Sequence, residues 1–264
     1  MMDAILLAGG SANPADPLYS LSAGKPKALV PIAGRPMAQW VIDALAGSKS
    51  IDRLIVVGSG PDCGLDFPKA TIFLQDSGSL LGNAHAGLVA STSGGSSSEL
   101  AMLVAADIPA MTPDMVDWIA DQTSNNLADL YYCAIDRAVM ERQYGGSGRT
   151  YIRFRDRVVC GGDAVVVRAA ALTSDGAVWK RLTEGRKSYL KMAAAIGLDM
   201  VLLMLFQRLS VADTARKASA RLGIRGMVLD CPYAEVGMDI DKPFQFGMVE
   251  RDLLDRAGRS AKAS

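Results

Sequence analysis

Lys25 and Lys27 stand on either side of Pro26, downstream of an apolar stretch that runs Leu7-Ala8-Gly9-Gly10. Paired glycines at the carboxyl end of a first strand let backbone N–H groups approach phosphate oxygens, because no Cβ intervenes. Cations beside such a loop suit phosphoryl transfer, in which negative charge builds on non-bridging oxygens. The spacing is neither GxGxxG nor GxxxxGK[ST], so neither a dinucleotide fingerprint nor a P-loop is supported. A second feature is Leu103-Val104-Ala105-Ala106-Asp107-Ile108-Pro109, an apolar strand that ends on an acid. Beside the glycine loop, Asp107 suits a Mg2+ ion that bridges nucleotide phosphates. Two further candidate acids for that ion, Asp239 and Asp241, stand late in the chain in Gly237-Met238-Asp239-Ile240-Asp241-Lys242-Pro243. Strand alternation would put both on one face, so spacing does not choose between them. Acids drawn together from positions 107 and 239 repel one another unless a cation joins them.

The phrases LAGG and KPKALVPIAGRPM, with a following helix that contains QWVIDAL, resemble the nucleotidyltransferases of GT-A-like fold. That superfamily includes the nucleotide-sugar pyrophosphorylases and the MobA-like molybdenum-cofactor nucleotidyltransferases. The resemblance implies that Ala8, Gly9 and Gly10 contact base and phosphates. It makes Lys27 the lysine that stabilises the α-phosphate in the transition state, and lets Lys25 hold the β- and γ-phosphates. It also implies that Asp107 ligates the metal, joined by the first acid of the terminal Asp239-Ile-Asp-Lys-Pro phrase, which makes Asp239 the first choice and Asp241 the second. One departure stands out: Ser11 to Pro17 follows the glycines, with no Arg before Lys25, so either Lys25 replaces the missing cation or triphosphate binding is weaker.

Gln75, then Leu81-Gly82-Asn83-Ala84-His85-Ala86, resembles the phrase with which uridylyltransferases read uracil, with Asn83 in place of Thr. Gln75, Gly82 and Asn83 are therefore base-binding candidates. His85, the single histidine, reads as a packing residue on a helix. On the acceptor side, Cys160-Gly161-Gly162-Asp163 sits where relatives carry a glycine-rich turn, making Gly162 and Asp163 candidates beside the alternative of a plain β-turn. Arg149, Arg153 and Arg155 precede it and either bind an acceptor phosphate or face water.

Positioning these residues requires an α/β fold. Short apolar runs at 4–8, 54–57, 71–74 and 101–106 alternate with helical segments at 37–46, 83–91 and 113–122, the pattern of βα units around a doubly wound, mostly parallel sheet. Thr112 and Pro113 mark the start of the third helix. The second half adds strands at 129–135, 151–154, 158–160, 164–167 and 227–231, and a helix after Pro243. Residues 178–224 read as a helical insertion that shapes the acceptor side, with helices near 187–206 and 211–222, in a single domain spanning 1–264. The last seven residues are expected to fray.

The chain carries 28 Lys+Arg and 28 Asp+Glu, and this balance lacks the basic excess of a protein that grips nucleic acid by its phosphates. Half the residues are apolar, a globular composition. Four scattered cysteines without a CxxC pair, no basic leader and no long apolar span fit buried thiols in a cytoplasmic protein. The expected reaction is Mg2+-dependent transfer of a nucleoside monophosphate from an NTP to a phosphorylated small-molecule acceptor. A GT-A glycosyltransferase using an NDP-sugar and a non-catalytic nucleotide-binding protein are the rival expectations.

Overall fold

The computed structural model describes residues 1–10, 13–22, 24–93, 99–125, 127–173 and 208–263. Among the described residues the main sheet is mixed and has eight strands. β1 (Met2–Leu7) lies in parallel between β4 (Ile51–Val57) and β6 (Leu100–Ala105). β5 (Thr71–Leu74) extends the parallel set on one side. On the other side β9 (Val158–Arg168) runs antiparallel to both β6 and β7 (Leu130–Asp136), and β10 (Gly226–Asp230) closes the sheet parallel to β7. The short β8 (Ile152–Arg153) pairs with the start of β9, and β2 (Pro31–Ile32) with β3 (Arg35–Pro36) forms a separate ribbon.

Burial on both faces explains why the inner strands are continuous apolar runs rather than alternating ones. In β1, Ala4 and Leu6 face one core and Ile5 faces the other. The first core takes Val41, Ile42 and Leu45 from α2 (Met37–Gly47), Val116 and Ile119 from α4 (Pro113–Gln122), and Val249 and Leu253 from α8 (Pro243–Ala263). The second takes Leu88 from α3 (Leu80–Ser93) and Leu172 from α6 (Ala169–Thr173). The described residues form three further helices, α1 (Tyr19–Ser22), α5 (Arg137–Gln143) and α7 (Val211–Leu222), the last lying on β10. Thr112 and Pro113 open α4 as expected.

Two expectations change. The Cys160-Gly161-Gly162-Asp163 stretch is not a turn but the interior of β9, which joins the two expected strands into one. The pairing of β7 with β9 shifts register between Tyr132 and Ala134, and the glycines lie opposite that irregularity. A Cβ at 161 would overlap the Tyr132 hydroxyl, and one at 162 would lie 2.9 Å from the Cβ of Cys133, so the strand passes there because both side chains are missing. The expected frayed end is instead helical, since α8 runs to Ala263. Of the expected insertion, the helix at 211–222 is present, while 178–207 lies outside the described residues. Cys133, Cys160 and Cys231 are buried free thiols, and Cys63 is a half-buried one. Among the described residues no helix is long and apolar enough to cross a membrane.

Candidate active site

The parallel register brings the carboxyl ends of β1, β4 and β6 level, with Leu7 opposite both Val57 and Ala105. The loop Ala8-Gly9-Gly10 therefore emerges between Gly58 and Asp107, at the edge where open α/β sheets bind ligands. Gly58 holds a φ of 97°, and a Cβ there would overlap the Cα and N of Gly9. The two backbones thus lie side by side in close contact, and the Gly58 backbone packs against the glycine loop.

Lys27 opens a single 3-10 turn, Lys27–Leu29, just after the extended Pro26. Its Nζ donates to Asp107 Oδ2 at 2.8 Å and to Asp241 Oδ1 at 2.5 Å. Burial alone would pull the ammonium's pKa down, but Asp107 and Asp241 outweigh it and hold the pKa above the ordinary lysine value. The late acids reach this place because the Ile240 N–H donates to the Asp107 carbonyl at 3.1 Å and Ile240 is buried. Gln245, 3% exposed, accepts from the Asp241 N–H and donates to the Ser147 carbonyl, which fixes the turn into α8.

Asp239 and Asp241 lie in an irregular segment rather than a strand, so alternation does not apply, and they face different cations. Asp241 shares Lys27 with Asp107, whereas the first-choice acid Asp239 is paired with Arg149. Arg149 also donates to the Gly161 carbonyl at 3.1 Å and to Asp163 Oδ2 at 3.3 Å. Burial pushes the Asp163 carboxyl up to about 6 against the pull of Arg149, and Asp107 and Asp241 push the same way. The centre therefore holds four carboxylates, Asp107, Asp163, Asp239 and Asp241, against Lys27 and Arg149.

Of the expected acceptor groups, Asp163 joins this cluster, while Gly162 is buried against Cys133 and Val236. Arg149 was one of three arginines singled out by the sequence, and it alone enters the cluster. Arg153 and Arg155 are exposed, the latter 3.4 Å from Asp213. Lys25 is exposed and lines one small hollow with Lys27, Asn13 and Asp16.

The base-reading candidates lie beyond β5 and on α3. Gln75 is exposed just beyond β5, and His85 is half-buried on α3. The Asn83 amide is committed within the loop: its Nδ2 donates to Asp76 Oδ1 at 2.9 Å, and its Oδ1 accepts from the Ser77 N–H and hydroxyl. A Cβ on Gly82 would overlap that hydroxyl. Asp76, which sequence reasoning missed, is what reaches the glycine loop, accepting the Gly10 N–H at 2.7 Å and the Gly78 N–H at 2.8 Å. The Asn83 amide and these two N–H groups hold its carboxyl below the usual range. The signal was available, because Asp76 follows a strand end on the same sheet edge as Asp107.

The profile of the MobA-like NTP transferase domain matches residues 4–192, which is most of the chain and includes the glycine loop, Lys27, Asp107, Arg149 and Asp163. The chain belongs to the MobA-like NTP transferase family. It is a nucleotidyltransferase by that membership. Among solved structures, a hypothetical transferase from Thermus thermophilus is similar at 30% identity and a TM-score of 0.79, covering 93% of this chain and 99% of its own. A 2-C-methyl-D-erythritol 4-phosphate cytidylyltransferase, also from Thermus thermophilus, shares the fold at 15% identity, with a TM-score of 0.54 and coverage of 95% and 98%. A CMP:2-keto-3-deoxy-manno-octonic acid synthetase complexed with CTP does so at 14% identity, a TM-score of 0.55 and coverage of 97% and 98%. No curated protein matches this MobA-like chain in sequence.

Proposed function

We propose that this protein moves a nucleoside monophosphate from an NTP to a phosphorylated small-molecule acceptor and releases pyrophosphate, with Mg2+ as its cofactor. The observation that carries the reading is the meeting of Lys27, Asp107 and Asp241 at the sheet edge from which the glycine loop emerges. An acceptor phosphate oxygen attacks the α-phosphorus, a new P–O bond forms, and the bond to the β-phosphate oxygen breaks. Lys27 neutralises charge on the α-phosphate oxygens, and the N–H groups of the glycine loop hold the phosphates in line. No covalent intermediate is required of any side chain.

The donor set fits magnesium. Asp107 Oδ1 is buried without a hydrogen-bond partner, and Mg2+ takes one or two carboxylates and completes its shell with phosphate oxygens and water. Asp107 and Asp241 would hold it, with Asp239 behind on Arg149. When bound, the ion screens the charge that builds on the phosphates. The cluster has two carboxylates more than it has cations, the charge that one divalent ion balances. The glycosyltransferase reading wants both acids of Asp239-Ile240-Asp241 on one cation, and their division between Lys27 and Arg149 lends it no support.

The test is pyrophosphate release in a screen of four NTPs against phosphorylated acceptors with Mg2+. Turnover is expected with at least one pair and is abolished by Lys27→Ala and by Asp107→Ala. Nucleotide binding without turnover across the panel refutes the transfer, and an active Lys27→Ala protein refutes the site.

A further inference from the structure

The contacts of Lys27 bear on when a metal enters. Its ammonium sits between Asp107 Oδ2 and Asp241 Oδ1, at 2.8 and 2.5 Å, and so occupies the position from which a cation would reach both carboxylates. The other two acids of the centre are turned to Arg149. Among the described residues no group of three or more His, Cys, Asp or Glu side chains is arranged to hold a metal ion. An ammonium and a divalent cation on the same oxygens repel strongly, since unit charges in contact interact far more there than in bulk water.

The same ammonium has a second use. With Pro26 and the 3-10 turn fixing its backbone, Lys27 still has a flexible four-carbon stem on which its charge can swing from carboxylate to phosphate. We propose that Lys27 and the divalent cation exclude each other from Asp107 and Asp241 in the free protein, so that the metal enters with the nucleotide, whose phosphates draw Lys27 off both acids. The proposal rests on the magnesium reading above. Among the described residues the free protein then offers no open metal site.

The experiment is titration of Mn2+ into the full-length protein without nucleotide or acceptor, reading free Mn2+ by electron paramagnetic resonance. Wild type, Lys27→Met and Lys27→Arg are compared, with circular dichroism as the check on folding. Lys27→Met is expected to bind Mn2+ about tenfold or more tightly than wild type, because one repelling charge is gone. Lys27→Arg keeps the charge and should match wild type. A non-hydrolysable NTP analogue should tighten Mn2+ binding by the wild type beyond the Mn2+ that the analogue takes up in a protein-free control. Lys27→Gln replaces the Met variant should that one fail to fold. Equal Mn2+ affinity in wild type and the neutral variant overturns the proposal, as does wild-type binding that nucleotide leaves unchanged. Turnover in the NTP screen is read separately. A protein that transfers nucleotides but shows no Lys27 effect on Mn2+ refutes this inference alone, and the opposite pair of results refutes the transfer alone.

Discussion

Replacing Asp163 with Asn is expected to stabilise the protein at alkaline pH and to have no effect in acid. Half-buried beside Asp107 and Asp241, Asp163 has its carboxyl pushed up to about 6 in the folded state, against an ordinary value of 3.8 that the unfolded chain would show. A group raised in this way favours folding below its unfolded value and loses that contribution as pH climbs through the folded one. At about 1.4 kcal/mol for each pH unit between the two values, the ionised side chain costs the native state roughly 3 kcal/mol. Asn keeps the shape and still offers an oxygen to Arg149, which lies 3.3 Å from the carboxylate, but it removes a charge partner from that guanidinium. A net gain of about 1–3 kcal/mol at pH 8 follows, within the usual range for relieving a buried charge conflict. Urea unfolding of both proteins with chelator present, from pH 4 to pH 8, measures it. The gap between variant and wild type should open between pH 4 and about 6 and stay constant above. A gap that is flat with pH, or an Asn variant less stable at pH 8, refutes the argument that desolvation dominates at this residue.

Two further outcomes can be checked in the same protein. Gly58→Ala forces a left-handed residue to carry a Cβ and drives it into Gly9, so thermal unfolding should show a loss of about 2 kcal/mol or more and nucleotide affinity should fall. Asp76→Ala frees the Gly10 N–H and loosens the loop held by Asn83, so KM for the nucleotide should change severalfold in steady-state assays while thermal stability hardly moves; an unchanged KM would separate Asp76 from nucleotide binding.

Much of the fold could be read from the sequence because inner parallel strands are apolar on both faces and stand out as runs. The strand at 71–74 and the helices at 113–122 and 211–222 appear where periodicity put them. The strand β9 was harder, since Gly161-Gly162 has the composition of a turn, and only the Tyr132 ring and Cys133 across the ladder explain why glycines belong inside a strand. At the site, Asp107 was legible because it follows an apolar strand, and Lys27 because the Lys-Pro-Lys phrase stands downstream of the paired glycines. The division of Asp239 and Asp241 was not, because it depends on Arg149, which arrives from another part of the chain through a contact no local pattern encodes. The partners of Asn83 were not legible either: its sequence neighbours match a base-reading phrase, and its bonds to Asp76 and Ser77 depend on how the loop after β5 folds back on α3.

The close contact of Gly58 with Gly9 matters for anyone transplanting this chemistry. Grafting the glycine loop onto another α/β sheet carries only half of an interlock, since the loop's shape is imposed by the backbone that leaves β4. The end of β4 has to travel with it. The two glycines are needed for separate reasons, because a Cβ at 58 meets the Gly9 backbone whereas one at 9 meets Asn83 and Asp76, so changing one does not relieve the other and a library that randomises position 58 samples mainly broken loops.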